Sequence, residues 1–111
     1  MKYLYIRFQK NKILMKQFMV EIKFNKQDFP EIMPLVPEQQ EKITELMQKN
    51  KVGSYVLSLE RSKLWMVVNE DTEEEVIEVL QMLPLFDFFQ FDIFKLTFNN
   101  QVVAMPAISL N

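Results

Sequence analysis

Between Phe18 and Thr97 the hydrophobic pattern switches repeatedly between period two and the helical period. The order of those switches limits the fold more than any other feature of the chain. Phe18, Val20, Ile22 and Phe24 alternate with Met19, Glu21 and Lys23, the pattern of a half-buried strand. Asn25 to Pro37 carries Pro30, Pro34 and Pro37 without a sustained helical period, and reads as a long loop. A helix is expected from about Pro37, a good first-turn residue, with Glu38 and Glu41 at its positive end. Its apolar stripe is Ile43, Leu46 and Met47, with Val36 and Gln40 at the edge. Lys49 and Lys51 suit its negative end, and Gly53 is the expected stop. Ser54 to Glu60 and Lys63 to Asn69 read as two strands. Thr72-Glu73-Glu74-Glu75 is a capping box that opens a second helix, striped by Val76, Ile77, Leu80 and Leu83 and ended by Pro84. A last strand is expected over about Phe88 to Thr97.

Strand, helix, strand, strand, helix, strand is the split βαβ order of ferredoxin-like folds. The fold class is therefore α+β, with an antiparallel sheet in the order 4-1-3-2 and both helices on one face. A two-residue turn at Arg61-Ser62 pairs Glu60 with Lys63, Leu59 with Leu64, Ser58 with Trp65, Leu57 with Met66 and Val56 with Val67. This separates an apolar face (Tyr55, Leu57, Leu59, Leu64, Met66, Val68) from a mixed one, where Glu60 and Lys63 form a surface charge pair. Phe89, Phe91 and Ile93 complete the face under the helices.

A chain of 111 residues fits one domain. Residues 15–98 are assigned to it. Residues 1–14 are read as an N-terminal extension, since Met15 begins a second plausible start, or as a short edge strand. Residues 99–111 form a tail in which Val102, Val103 and Met105 are strand-like. The chain has no Cys and no His. This removes disulfides, thiolate zinc sites, a Cys nucleophile and a His-held haem, together with the commonest general base. A formal net charge of −2 offers no broad basic field to nucleic acid. No apolar run approaches the roughly 18 residues of a membrane span, and no signal-peptide core is visible, so a cytoplasmic location is expected.

The helix-free face is expected to carry Met19, Glu21, Lys23, Val56, Ser58, Trp65, Val67, Phe88, Gln90, Asp92 and Phe94. So much apolar area beside carboxylates suits an interface or a pocket. Two such sheets packed face to face would enclose the polar groups. Strand 4 lies beside strand 1, which brings Asp92 and Gln90 near Glu21. Desolvation and a neighbouring like charge would raise a carboxyl's pKa toward the range where it takes and returns a proton. The plainer reading is a set of solvated surface charges, with Trp65 and the Phe residues packed in a core or an interface and the Met residues filling gaps.

LPLF at 83–86, followed by an aromatic and a strand with two spaced polar positions, resembles the helix-to-strand passage of the muconolactone isomerase family. FMVEIKF at 18–24 resembles that family's first strand, and the likeness spans Met15 to Leu96. The chain departs from the family at Asp87, where Pro is usual, and at Gln90, where an acid is usual. The resemblance implies a dimeric α/β barrel, with higher homo-oligomers built from such dimers, and a cofactor-free proton shift in a small unsaturated lactone or acid. Asp92 would be the base, with Glu21 second. Gln90 or Lys23 would orient the substrate, and Trp65, Phe88 and Phe94 would line the site. The other reading is a non-enzymatic small-ligand-binding or assembly module of the same barrel. A monooxygenase-like member of the wider barrel group ranks third. Base stacking on the sheet ranks last, because the RNP1 pattern is absent and acids occupy the face. No metal and no membrane partner are expected.

Overall fold

A computed structural model describes residues 16–100. The extension over 1–14 and the strand-like positions of the tail lie outside the described residues. Four strands, β1 (Gln17–Lys23), β2 (Val52–Ser58), β3 (Lys63–Asn69) and β4 (Gln90–Lys95), form one antiparallel sheet in the order β2-β3-β1-β4. Two main helices, α1 (Val36–Gln48) and α2 (Glu73–Gln81), complete an α+β domain compatible with a ferredoxin-like fold.

The alternation in β1 explains its central place. Phe18, Val20 and Ile22 are buried, and their neighbours along the strand are more exposed. Val20 lies between Met66 and Ile93, and Ile22 between Leu64 and Phe91. Both helices bury their stripes against these residues: Ile43 and Leu46 from α1, and Val76, Val79 and Leu80 from α2. Each such side chain taken from water contributes about 1.5–3 kcal/mol, which makes this layer the main source of stability. The α2 stripe uses Val79 in addition to the expected positions, and Ile77 is only half-buried.

Helix ends follow local chemistry. The Thr72 hydroxyl accepts the Glu75 amide at 3.2 Å, while Glu75 Oε1 accepts the Thr72 amide at 3.1 Å, so the capping box forms. Helix α1 ends before the expected Gly53. Asn50 takes the left-handed conformation at φ 62°, and the Lys51 amide returns to the Leu46 carbonyl at 2.8 Å. Gly53 instead sits at a β-bulge between Val52 and Ser54.

Three expectations need correction. Asn25–Pro37 is not an irregular loop. It folds as consecutive short helical turns over Lys26–Asp28, Phe29–Ile32 and Met33–Leu35. Pro30 and Pro34 each sit at the start of a turn, where a missing amide hydrogen costs nothing. The hairpin has a four-residue connection, so Ser58 opposes Lys63 and Leu57 opposes Leu64. The register is two residues from the expected one. A shift of two preserves which side chains share a face, so β2 and β3 keep the expected faces although the opposed pairs differ. Leu59 and Glu60 fall in the turn, so the Glu60–Lys63 cross-strand pair is lost and Leu59 is exposed. Finally, β4 begins at Gln90. Phe86–Phe88 form a tight turn, and Phe88 points to the helix side of the sheet, not the open side.

The hairpin turn carries a local cost. Ser62 holds a left-handed φ of 55°, and its buried hydroxyl has no hydrogen-bond partner among the described residues. Glycine adopts this conformation without the steric penalty of a Cβ. Ser62→Gly is therefore expected to stabilise the protein by about 1 kcal/mol, read as a higher urea midpoint at unchanged slope.

Candidate functional site

The open side of the sheet is a grid set by strand register. One row runs Val56, Trp65, Glu21, Asp92 across β2, β3, β1 and β4. The row on one side is Ser54, Val67, Met19, Phe94, and on the other Ser58, Lys63, Lys23, Gln90. Adjacent rows are two residues apart along a strand, roughly 6.7 Å. Directly opposed side chains start from Cβ atoms about 5 Å apart.

The expected neighbours Glu21, Asp92, Lys23 and Gln90 thus come together on one face. Glu21 and Asp92 are directly opposed carboxylates, and Lys23 and Lys63 directly opposed ammonium groups. Lys63 reaches diagonally to Glu21, with Nζ–Oε2 at 3.0 Å. This is the partner that replaces Glu60. Asp92 makes no ion pair among the described residues and is exposed. One carboxylate is therefore held and neutralised, and the other is left accessible beside it. Trp65 is half-buried next to Glu21, and Phe94 is 50% exposed one row from Asp92. Val56 at the sheet edge is 54% exposed, whereas Val67 is buried. Phe88 does not belong to this face.

The helix side holds a second feature that the sequence reading did not anticipate. An apolar crevice lies between the turns of Lys26–Leu35, the start of α1 and the β2–β3 end of the sheet. It encloses about 40 Å³. Gln39, only 1% exposed, sits at its wall. Its Nε2 donates to the Tyr55 hydroxyl at 3.1 Å, and its Oε1 accepts the Leu85 amide at 3.2 Å. Burial pushes the Tyr55 phenol above its ordinary range, partly offset by the Gln39 hydrogen bond, so it stays a neutral O–H through neutral pH. The signal for Gln39 was present as spacing: it lies four residues before Ile43 on the same helical stripe. A polar side chain hides the position in that stripe, whereas its neighbour Gln40 is exposed.

Among the described residues no group of three or more acidic, His or Cys side chains is placed to hold a metal ion, and no helix is long and apolar enough to cross a membrane. Compared with protein-family models and with curated proteins, the chain matches none.

Proposed function

We propose that the protein is a cofactor-free isomerase that shifts a proton within a small unsaturated lactone or acid, as its resemblance to the muconolactone isomerases implies. The observation that supports this is the asymmetric carboxylate pair: Glu21 bound to Lys63, and Asp92 opposite it and accessible. Asp92 takes the proton from one carbon and returns it to another. Lys23 and Gln90, opposed in the next row, donate to the substrate carboxylate or carbonyl and steady the dienolate as charge builds on it. Trp65 and Phe94 supply an apolar wall. The site closes when the open faces of two copies meet, which also covers Val56 and Phe94. A homodimer of this kind is the dimeric barrel that the resemblance implies. Phe88 has no part in this site.

The test is to incubate the purified protein with muconolactone in D₂O and follow the ring protons by NMR. Protein-dependent deuterium exchange or double-bond migration is expected. Absence of exchange at high protein concentration rejects the lactone as substrate.

The second reading is a non-enzymatic ligand-binding or assembly module. It is favoured by the apolar ends of the grid, where Val56 and Phe94 stand exposed on opposite edges of the face. It is distinguished by ligand-dependent quenching of Trp65 fluorescence without turnover.

A further inference from the structure

We propose that β2 pairs edge to edge with the β2 strand of a second copy of the chain, antiparallel and centred on Val56, joining two four-stranded sheets into one. The inference does not rest on the isomerase reading, because Asp92 stands on β4, at the opposite edge of the sheet.

β2 is an end strand. β3 lies on one side of it, and among the described residues no strand lies on the other. A free edge is a row of unpaired amides and carbonyls, and proteins usually guard it with charge, proline or a bulge. The other end strand, β4, carries Asp92 and Lys95. β2 carries no charged residue and no proline. Its bulge lies at one end, between Val52 and Ser54, and leaves Ser54–Ser58 regular. Val56 is 54% exposed on the open side and Leu57 45% exposed on the helix side, so the edge shows apolar side chains on both faces. Leu59 and Met33, each 52% exposed, line the crevice with Leu57 and extend the apolar area that a second copy covers.

The strand is its own complement. Side chains opposed in one sheet share a face, so a two-fold axis must pass through a residue and not between two. An axis at Tyr55 draws the bulged Gly53 into the ladder, and one at Leu57 draws in Leu59 from the turn. An axis at Val56 pairs the whole regular run with itself. Val56 then opposes the partner's Val56, and Ser54 opposes the partner's Ser58. On the helix side Tyr55 opposes the partner's Leu57, twice by symmetry. These are β-branched, hydroxyl and aromatic–aliphatic pairs, each favourable across strands, and no like charges meet. An isologous contact of this kind closes on two copies.

The test is sedimentation of the full chain over a concentration series, beside Leu57→Lys. A lysine on an edge strand resists strand addition, and this one replaces an exposed side chain on the helix side, which a face-to-face dimer does not use. It is expected to weaken self-association about tenfold. The chain has no Cys, so introduced cysteines report the register. Ser54→Cys mixed with Ser58→Cys is expected to form a disulfide between copies under mild oxidation, since opposed Cβ atoms lie about 5 Å apart. Neither variant alone is expected to do so, because like positions are offset by roughly 13 Å along the strands. Adding Leu57→Lys to both is expected to remove the cross-link. A chain that stays monomeric at about 1 mM overturns the proposal. Self-association unchanged by Leu57→Lys overturns it by placing the contact on another surface. Cross-linking as strong in either cysteine variant alone as in the mixture overturns it as well.

Discussion

Replacing Gln39 with leucine is expected to lower stability by about 2 kcal/mol, although leucine has nearly the same volume and is more apolar. Size is not what the position requires. The Gln39 oxygen holds the amide of Leu85, a residue 46 positions away at the connection from α2 to β4. Leucine leaves that buried N–H without a partner, and an unpaired buried donor costs about 1–3 kcal/mol. It also leaves the Tyr55 hydroxyl unpaired beside apolar walls. Added apolar burial at leucine offsets only part of this. Against a total stability of about 5–15 kcal/mol the loss is large. Urea denaturation checks it: the midpoint falls while the slope stays the same. Tyr55→Phe combined with Gln39→Leu is expected to recover part of the loss, because it removes the unpaired hydroxyl. A wild-type midpoint in Gln39→Leu would show that water satisfies the Leu85 amide, and that the crevice is wetter than its walls suggest.

The fold was legible because its determinants are local. The alternation of β1, the capping box at Thr72 and the Pro84 stop act through neighbours in sequence, and the element order then leaves few topologies. Asp92 and Gln90 were expected near Glu21 because β4 lies beside β1, and the register pairs Asp92 with Glu21 and Gln90 with Lys23. The losses have equally specific causes. Arg61-Ser62 is poor two-residue turn chemistry, and the chain chose a longer connection with Ser62 in a strained conformation. Prolines that mark loops also start helical turns, so composition alone does not separate Lys26–Leu35 from a loop. The crevice was invisible for the same reason, since those turns are its roof. Phe88 moved to the other side of the sheet because β4 starts two residues later than its apolar run. Period two extended back from Gln90 puts Phe88 on the Asp92 side, but a residue in the preceding turn does not follow the strand's alternation. Local sequence offers Lys63 the nearby Glu60, its neighbour across the expected two-residue turn. Its true partner, Glu21, is 42 positions away and depends on strand order.

Asp92→Asn is expected to reduce the proton-shift rate by about 10²–10⁴-fold while leaving the protein slightly more stable. The two effects have one origin. Glu21 and Asp92 are opposed across β1 and β4, and like charges opposed on a sheet repel. Lys63 relieves Glu21 at 3.0 Å, but no described cation reaches Asp92. Asparagine keeps the side-chain shape, removes the repulsion and cannot take a proton. A purely structural acid would show the opposite: its loss would cost stability or change nothing. Glu21→Gln separates the roles further. It keeps Asp92 and so keeps the base, and turnover is expected to persist. The measurement is deuterium incorporation into the lactone across a pH series, with denaturant midpoints taken on the same samples. Equal rates in Asp92→Asn and wild type remove Asp92 from the chemistry. A raised midpoint alone would then mark the carboxylate pair as an electrostatic strain that the sheet tolerates, and leave the open face to ligand binding or assembly.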